Sequence, residues 1–151
     1  MDAFAKSSMM LKVVAKALGD EVLKDVAFVG GCTTGLLVTD EFSKQNVRFT
    51  DDVDLIVNAI GRAGWYDFQG KMRALGFTES IEDEMICRMR IGDLKVDFMP
   101  DDAAILGFTN RWYKQALVSA NLFHIDENTV IRVVTPAYFI GTKLEAYPSV
   151  A

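Results

Sequence analysis

The run Asp52-Val53-Asp54-Leu55-Ile56-Val57 constrains this chain more than any other stretch of it. A strand alternates its faces, so Val53, Leu55 and Val57 point into a core while Asp52 and Asp54 share the opposite side. Two carboxylates side by side repel, and a fold tolerates them best with a cation between them. Upstream, Phe28-Val29-Gly30-Gly31 reads as a strand ending in a glycine pair. That pair suits a backbone that must approach phosphate closely. Together these features point to metal-dependent chemistry on a nucleotide.

A third ligand should lie on a neighbouring strand, facing the same way as the first two. Leu94-Lys95-Val96-Asp97-Phe98 supplies the candidate, with Leu94, Val96 and Phe98 on the apolar face and Asp97 on the other. The alternative for Asp97 is a cross-strand ion pair with Arg88 or Arg90. Those two arginines alternate with Cys87 and Met89, which makes one face of their strand cationic. They are either acceptor-binding residues or counter-charges.

With 151 residues, half of them hydrophobic and a quarter charged, the chain is expected to form one domain with a hydrophobic core. The elements alternate early and cluster as strands later. Residues 8 to about 24 read as an amphipathic helix with Leu11, Val14, Leu18 and Val22 near one face. A strand over 26–29 precedes a helix from about 32 to 43, and a strand over 53–58 precedes a helix over 65–75. Strands follow at 77–80, 85–91 and 94–99, with Glu82-Asp83-Glu84 as a solvated turn and Gly92-Asp93 as another. Asp102 could cap a short helix through Leu106, and a helix is expected over 111–119. Strands at 122–125 and 130–134 lead to a final helix that Thr135 caps and Pro136 starts. The fold class is α+β: a mixed sheet flanked by helices.

The formal net charge of −5 argues against a broad basic groove for nucleic acid, although a local basic patch could bind RNA. No apolar run approaches the roughly 20 residues that span a bilayer, so no membrane partner is expected. The N-terminus lacks the basic-then-apolar order of a secretory signal. Cys32 and Cys87 cannot form a disulfide framework, and a reducing cytoplasm is the expected setting. One histidine, His124, and two distant cysteines do not make a zinc site. His124 reads as structural and Cys32 as a small packing residue. Trp112 and Tyr113 could stack an acceptor base, though packing is the commoner role of such residues.

Four motifs in order resemble the nucleotidyltransferase superfamily related to DNA polymerase β. They are Gly30-Gly31, Arg48-x-Thr50-x-Asp52-Val53-Asp54, Val96-Asp97-Phe98 and a last stretch beginning Thr135-Pro136. That stretch, Thr135-Pro136-x-Tyr138-Phe139-Ile140-x-Thr142-Lys143-Leu144-Glu145-Ala146, is similar to the end of the AbiEii-like nucleotidyltransferases, which include type IV toxins and phage-defence proteins. The resemblance implies a nucleotidyltransferase core over residues 1–151. Asp52, Asp54 and Asp97 would hold Mg²⁺ or Mn²⁺, and Asp97 would help deprotonate the attacking hydroxyl. Gly30 and Gly31 would face the triphosphate of an NTP, with Thr33 or Thr34, Arg48 and Lys143 contributing further contacts. Lys143 would stand beside a stripe of Ile140, Leu144 and Tyr147 at the edge of the core. The acceptor would be RNA, a protein or a small molecule, and an antitoxin would be a possible partner. Longer members continue into a helical region with a further acidic motif, so the chain is expected to be either a natural minimal form or a piece lacking that region. The same resemblance also admits a non-catalytic or truncated module that binds a nucleotide or a partner.

Overall fold

The computed structural model describes residues 3–37, 51–80, 83, 87–102, 105 and 112–146. Among these, six strands form one sheet: Val26–Val29 (β1), Asp52–Val57 (β2), Arg88–Ile91 (β3), Leu94–Pro100 (β4), Asn121–Asp126 (β5) and Thr129–Val133 (β6). Their order is β3-β4-β2-β1-β6-β5. β4 runs parallel to β2 and β6 parallel to β1, while the other neighbours are antiparallel. The sheet is mixed and flanked by helices, as the α+β reading expects. Those helices are Ala3–Leu18 (α1), Asp20–Leu23 (α2), Thr34–Leu37 (α3), Gly61–Ala74 (α4), Tyr113–Val118 (α5) and Pro136–Ala146 (α6). A 3-10 turn, Gly31–Thr33, leads into α3. None of these helices is long and apolar enough to cross a membrane.

The pleat decides what each face carries. Val53 and Leu55 of β2, with Val96 and Phe98 of β4, are fully buried with Leu11 and Val14 of α1 in the larger core. The opposite face holds a smaller core, where Ala27, Val29 and Ile56 meet Ala116 and Leu117 of α5. Asp52, Asp54 and Asp97 alternate with the larger-core residues, so they project on the α5 side of the sheet.

Several boundaries differ from the sequence reading for identifiable reasons. The first helix is broken, because Gly19 at φ 80 turns the chain between α1 and α2. Leu11, Val14 and Leu18 are buried as expected, while Val22 is only partly so. The segment 77–80 makes one bridge, Thr78 to Arg90, in place of a strand. Its first residue is consumed in ending α4: Phe77 N–H donates to the Met72 carbonyl and Gly76 N–H to that of Arg73, with Gly76 at φ 106. This is a Schellman cap, with Phe77 and Met72 both buried beneath it.

Asp102 accepts from Gly61 N–H at 3.0 Å, serving the start of α4. Apart from Ile105, the segment of the short helix expected after it lies outside the described residues, as does the chain after Leu37 that was expected to continue α3. On α6 the expected core stripe is reversed. Ile140 and Leu144 are 56% and 67% exposed, while Thr142 is buried. Apolar residues surround this helix, so periodicity alone could not choose its inward face.

Candidate metal centre

Parallel pairing of β2 with β4 sets Asp54 directly opposite Asp97. Asp52 lies two residues earlier on the same side. One carboxylate oxygen from each of the three lies within 4.8 Å of the others. Oxygens across an octahedral Mg²⁺ are about 4.2 Å apart, from bonds of about 2.1 Å. A cluster of this span could hold a metal ion. Its donors are all carboxylate oxygens, which suits a hard divalent cation. The nearby thiols do not compete. Burial, then the charge of Asp54, pushes Cys32 up to about 12, and its Sγ–H donates to the Ser7 carbonyl. Burial, then Asp97, pushes Cys87 up to about 11.

The cluster carries electrostatic stress. Burial, then the charges of Asp52 and Asp97, then a hydrogen bond with Asp97, raise the Asp54 carboxyl to about 8. Asp52 is also raised, by burial first and then by Asp97, with Arg88 pulling the other way. A cation among the three carboxylates would relieve the same repulsion.

Arg88 supplies the remaining compensation. Its Nε donates to Asp97 Oδ1 at 2.7 Å and its Nη2 to Oδ2 at 2.8 Å, a bidentate pair. Nη2 also lies 3.6 Å from Asp52 Oδ2. The ion pair that the sequence offered as an alternative for Asp97 is present, and it is made by Arg88 because β3 and β4 pair these two residues. It does not exhaust Asp97, since a carboxylate offers about four lone-pair sites. Hydrogen bonding to Asp97 raises the Arg88 pKa further, so the guanidinium stays charged. Arg90 turns elsewhere, donating to both oxygens of Asp83 at 3.0 and 2.8 Å. Asp83, expected to be a solvated turn residue, is ion-paired instead, and Arg90 holds its carboxyl below the usual range.

The glycine turn fits closely around the cluster. Gly30 has φ 86 and ψ −174, a region essentially reserved for glycine. A Cβ built on it would overlap Oδ2 of Asp54. Gly30→Ala should lose about 1–3 kcal/mol from the backbone alone and displace the Asp54 carboxylate. Urea denaturation with and without Mn²⁺ checks this: lower stability and no gain from the ion are expected. Wild-type behaviour in both would remove the requirement for glycine.

Gly30, Gly31 and the three aspartates line one cleft of about 430 Å³, whose other wall includes Met99, Tyr113, Phe139 and Thr142. Thr33 is buried, and its hydroxyl donates to the Gly30 carbonyl at 2.9 Å, so it braces the turn. Thr34 begins α3 and is partly exposed. Arg48 lies outside the described residues. Lys143 belongs to α6, but its side chain lies outside the described portion. His124 is exposed on edge strand β5 and does not line the cleft.

Phe139 and Thr142, which carry no expected role beyond their place in the last motif, reach the cleft from α6. A threonine three residues after an aromatic on one helix was the available signal. Tyr113, for which stacking or packing is the expected role, lines the cleft, and burial, then the charge of Asp54, pushes its phenol up to about 12. Trp112 packs on α6, its ring 6.2 Å from that of Tyr138. In comparisons with known proteins, no family model matches the sequence and no curated protein matches it.

Proposed function

We propose that this chain is a divalent-metal-dependent nucleotidyltransferase of the DNA polymerase β-like superfamily. It would move a nucleoside monophosphate from an NTP to a hydroxyl acceptor. The observation that carries this reading is the convergence of Asp52, Asp54 and Asp97 beside the Gly30-Gly31 turn, in one cleft. Mg²⁺ or Mn²⁺ held there would supply charge to offset the triphosphate and Lewis acidity at the reacting oxygens.

The chain's own residues supply position and proton handling. The glycine turn lets phosphate oxygens approach the backbone without a side chain between them. Met99 and Phe139 offer apolar surface to the nucleoside. Asp97 is oriented by its bidentate contact with Arg88 and can accept the proton of the attacking hydroxyl. The hydroxyl oxygen bonds to the α-phosphorus, the bond to the bridging oxygen breaks, and pyrophosphate leaves. Arg48 and Lys143 enter this reading from the resemblance alone. So do a toxin-type or phage-defence role, an antitoxin partner and an RNA, protein or small-molecule acceptor. A cytoplasmic setting follows the cysteine usage.

The test supplies each common NTP, labelled at the α-phosphate, with Mg²⁺ or Mn²⁺ and a cell extract. Label transfer with pyrophosphate release is expected, and chelation should stop both. Absence of pyrophosphate with every NTP would overturn the reading. One observation favours a second possibility, a non-catalytic module that binds a nucleotide or a partner. Arg88 already neutralises Asp97 through two short hydrogen bonds, so the cluster has partial compensation without a metal. That module would bind NTP with measurable heat and release no pyrophosphate.

A further inference from the structure

A second cavity, of about 470 Å³, shares Arg88 with the metal-centre cleft. Helix α4 lines it with Arg62, Trp65, Tyr66, Gln69 and Arg73. These residues recur at spacings of three and four, so they occupy one helix face. Most charges around the cavity are already committed. Arg73 Nε donates to Glu79 at 2.9 Å, Arg88 holds Asp97, and Asp83 is held by Arg90. Arg62 is exposed and has no ion-pair partner among the described residues. Among the described residues the lining thus leaves one uncommitted positive charge.

Gln69 is the feature that asks for a ligand. It is only 7% exposed, it lines the cavity, and its side-chain amide makes no hydrogen bond among the described residues. The amide is the part of that side chain left open to the cavity, since the only enclosed side-chain polar atom without a partner among the described residues is Ser7 Oγ. An amide presents a donor and an acceptor side by side, the pattern that pairs with the edge of a nucleobase. One turn of helix away, Tyr66 is 63% exposed and offers a flat ring. We infer that this cavity binds a nucleotide unit, with the base edge on Gln69, the base stacked on Tyr66 and the phosphate on Arg62. Helix α4 packs on the Phe98 face of the sheet, opposite the aspartates, so occupancy of this cavity does not rest on the transferase reading.

The shared chemistry could come from a free mononucleotide or from the end of an RNA strand. AMP and a short single-stranded oligoadenylate are therefore titrated separately, without metal and with chelator present, following tryptophan fluorescence because Trp65 lines the cavity. Binding is expected in the wild type and equally in Asp54→Asn. It should weaken about tenfold in Tyr66→Ala and about tenfold in Arg62→Ala. Gln69→Leu should weaken AMP but not ribose 5-phosphate. Equal loss of AMP and ribose 5-phosphate, or loss of neither, would take the base edge off Gln69 and overturn the assignment.

Tighter binding of the oligomer supports a strand end, and equal binding supports a free nucleotide. No binding of either ligand to the wild type overturns the proposal. So does binding that Asp54→Asn abolishes and Arg62→Ala leaves intact, which would put the nucleotide in the first cleft. Because the titration is metal-free, failure of the transfer assay would leave this result standing.

Discussion

Asp54→Asn is expected to lower nucleotidyl transfer by about a hundred- to a thousandfold or more, while making the metal-free protein more stable at pH 8. The two effects share one cause. Asp54 is wedged between Asp52 and Asp97 beneath the glycine turn, where its ionised form is disfavoured. The folded carboxyl binds its proton more tightly than the unfolded one, so folding takes up protons between pH 3.8 and about 8. Stability from this group is greatest below that window and falls as pH rises through it, by at most about 1.4 kcal/mol per pH unit. Asparagine keeps the shape, removes the charge and can still hydrogen-bond to Asp97. Urea midpoints with chelator, measured from pH 5 to 8, should fall more steeply for the wild type than for the variant. Divalent ions should stabilise the wild type more as pH rises, because ion and proton compete for the same oxygens. Wild-type transfer by Asp54→Asn would sink the ligand assignment, and parallel pH profiles would sink the electrostatic account.

Arg88→Met should cost about 3–5 kcal/mol in metal-free buffer. Asp97 is only 3% exposed, and the guanidinium is its bidentate counter-charge. Methionine fills similar volume but leaves the buried carboxylate without its counter-charge. A divalent cation can take over the missing charge. At about a hundredfold over its dissociation constant it should return about 2.7 kcal/mol. Chemical denaturation with chelator and then with Mn²⁺ measures both numbers. A variant as stable as wild type in chelator would mean that Arg88 does not balance the cluster. A destabilised variant that Mn²⁺ does not restore would mean that Asp97 contributes no oxygen to the ion.

The parts of the site that could be read from the sequence are those governed by strand alternation. Period two puts Asp52 and Asp54 on one side of β2 and Asp97 on the matching side of β4. It needs no tertiary information beyond the assumption that the two strands are neighbours. What escaped depends on packing between distant segments. Which arginine meets Asp97 is settled by the β3–β4 register. Thr33 turned its hydroxyl back to the Gly30 carbonyl, a local choice that residue type does not announce. On α6 the apolar residues run round the helix, so the burial of Thr142 in place of Leu144 followed from how the helix lies on the sheet. Gln69 reads as an ordinary polar helix residue, and only the close approach of other elements encloses it.

The β3–β4 hairpin bears on how the domain assembles. Arg88 and Asp97 are nine residues apart and meet across a turn at Gly92. Asp54 and Asp97 meet only when a far longer loop, containing α4, has closed. Hairpins form within microseconds, whereas parallel pairing of remote strands comes later. On that order of events, Asp97 would reach β2 already paired with its guanidinium. The like-charge encounter of Asp97 with Asp52 and Asp54 would then be softened before the strands zip together.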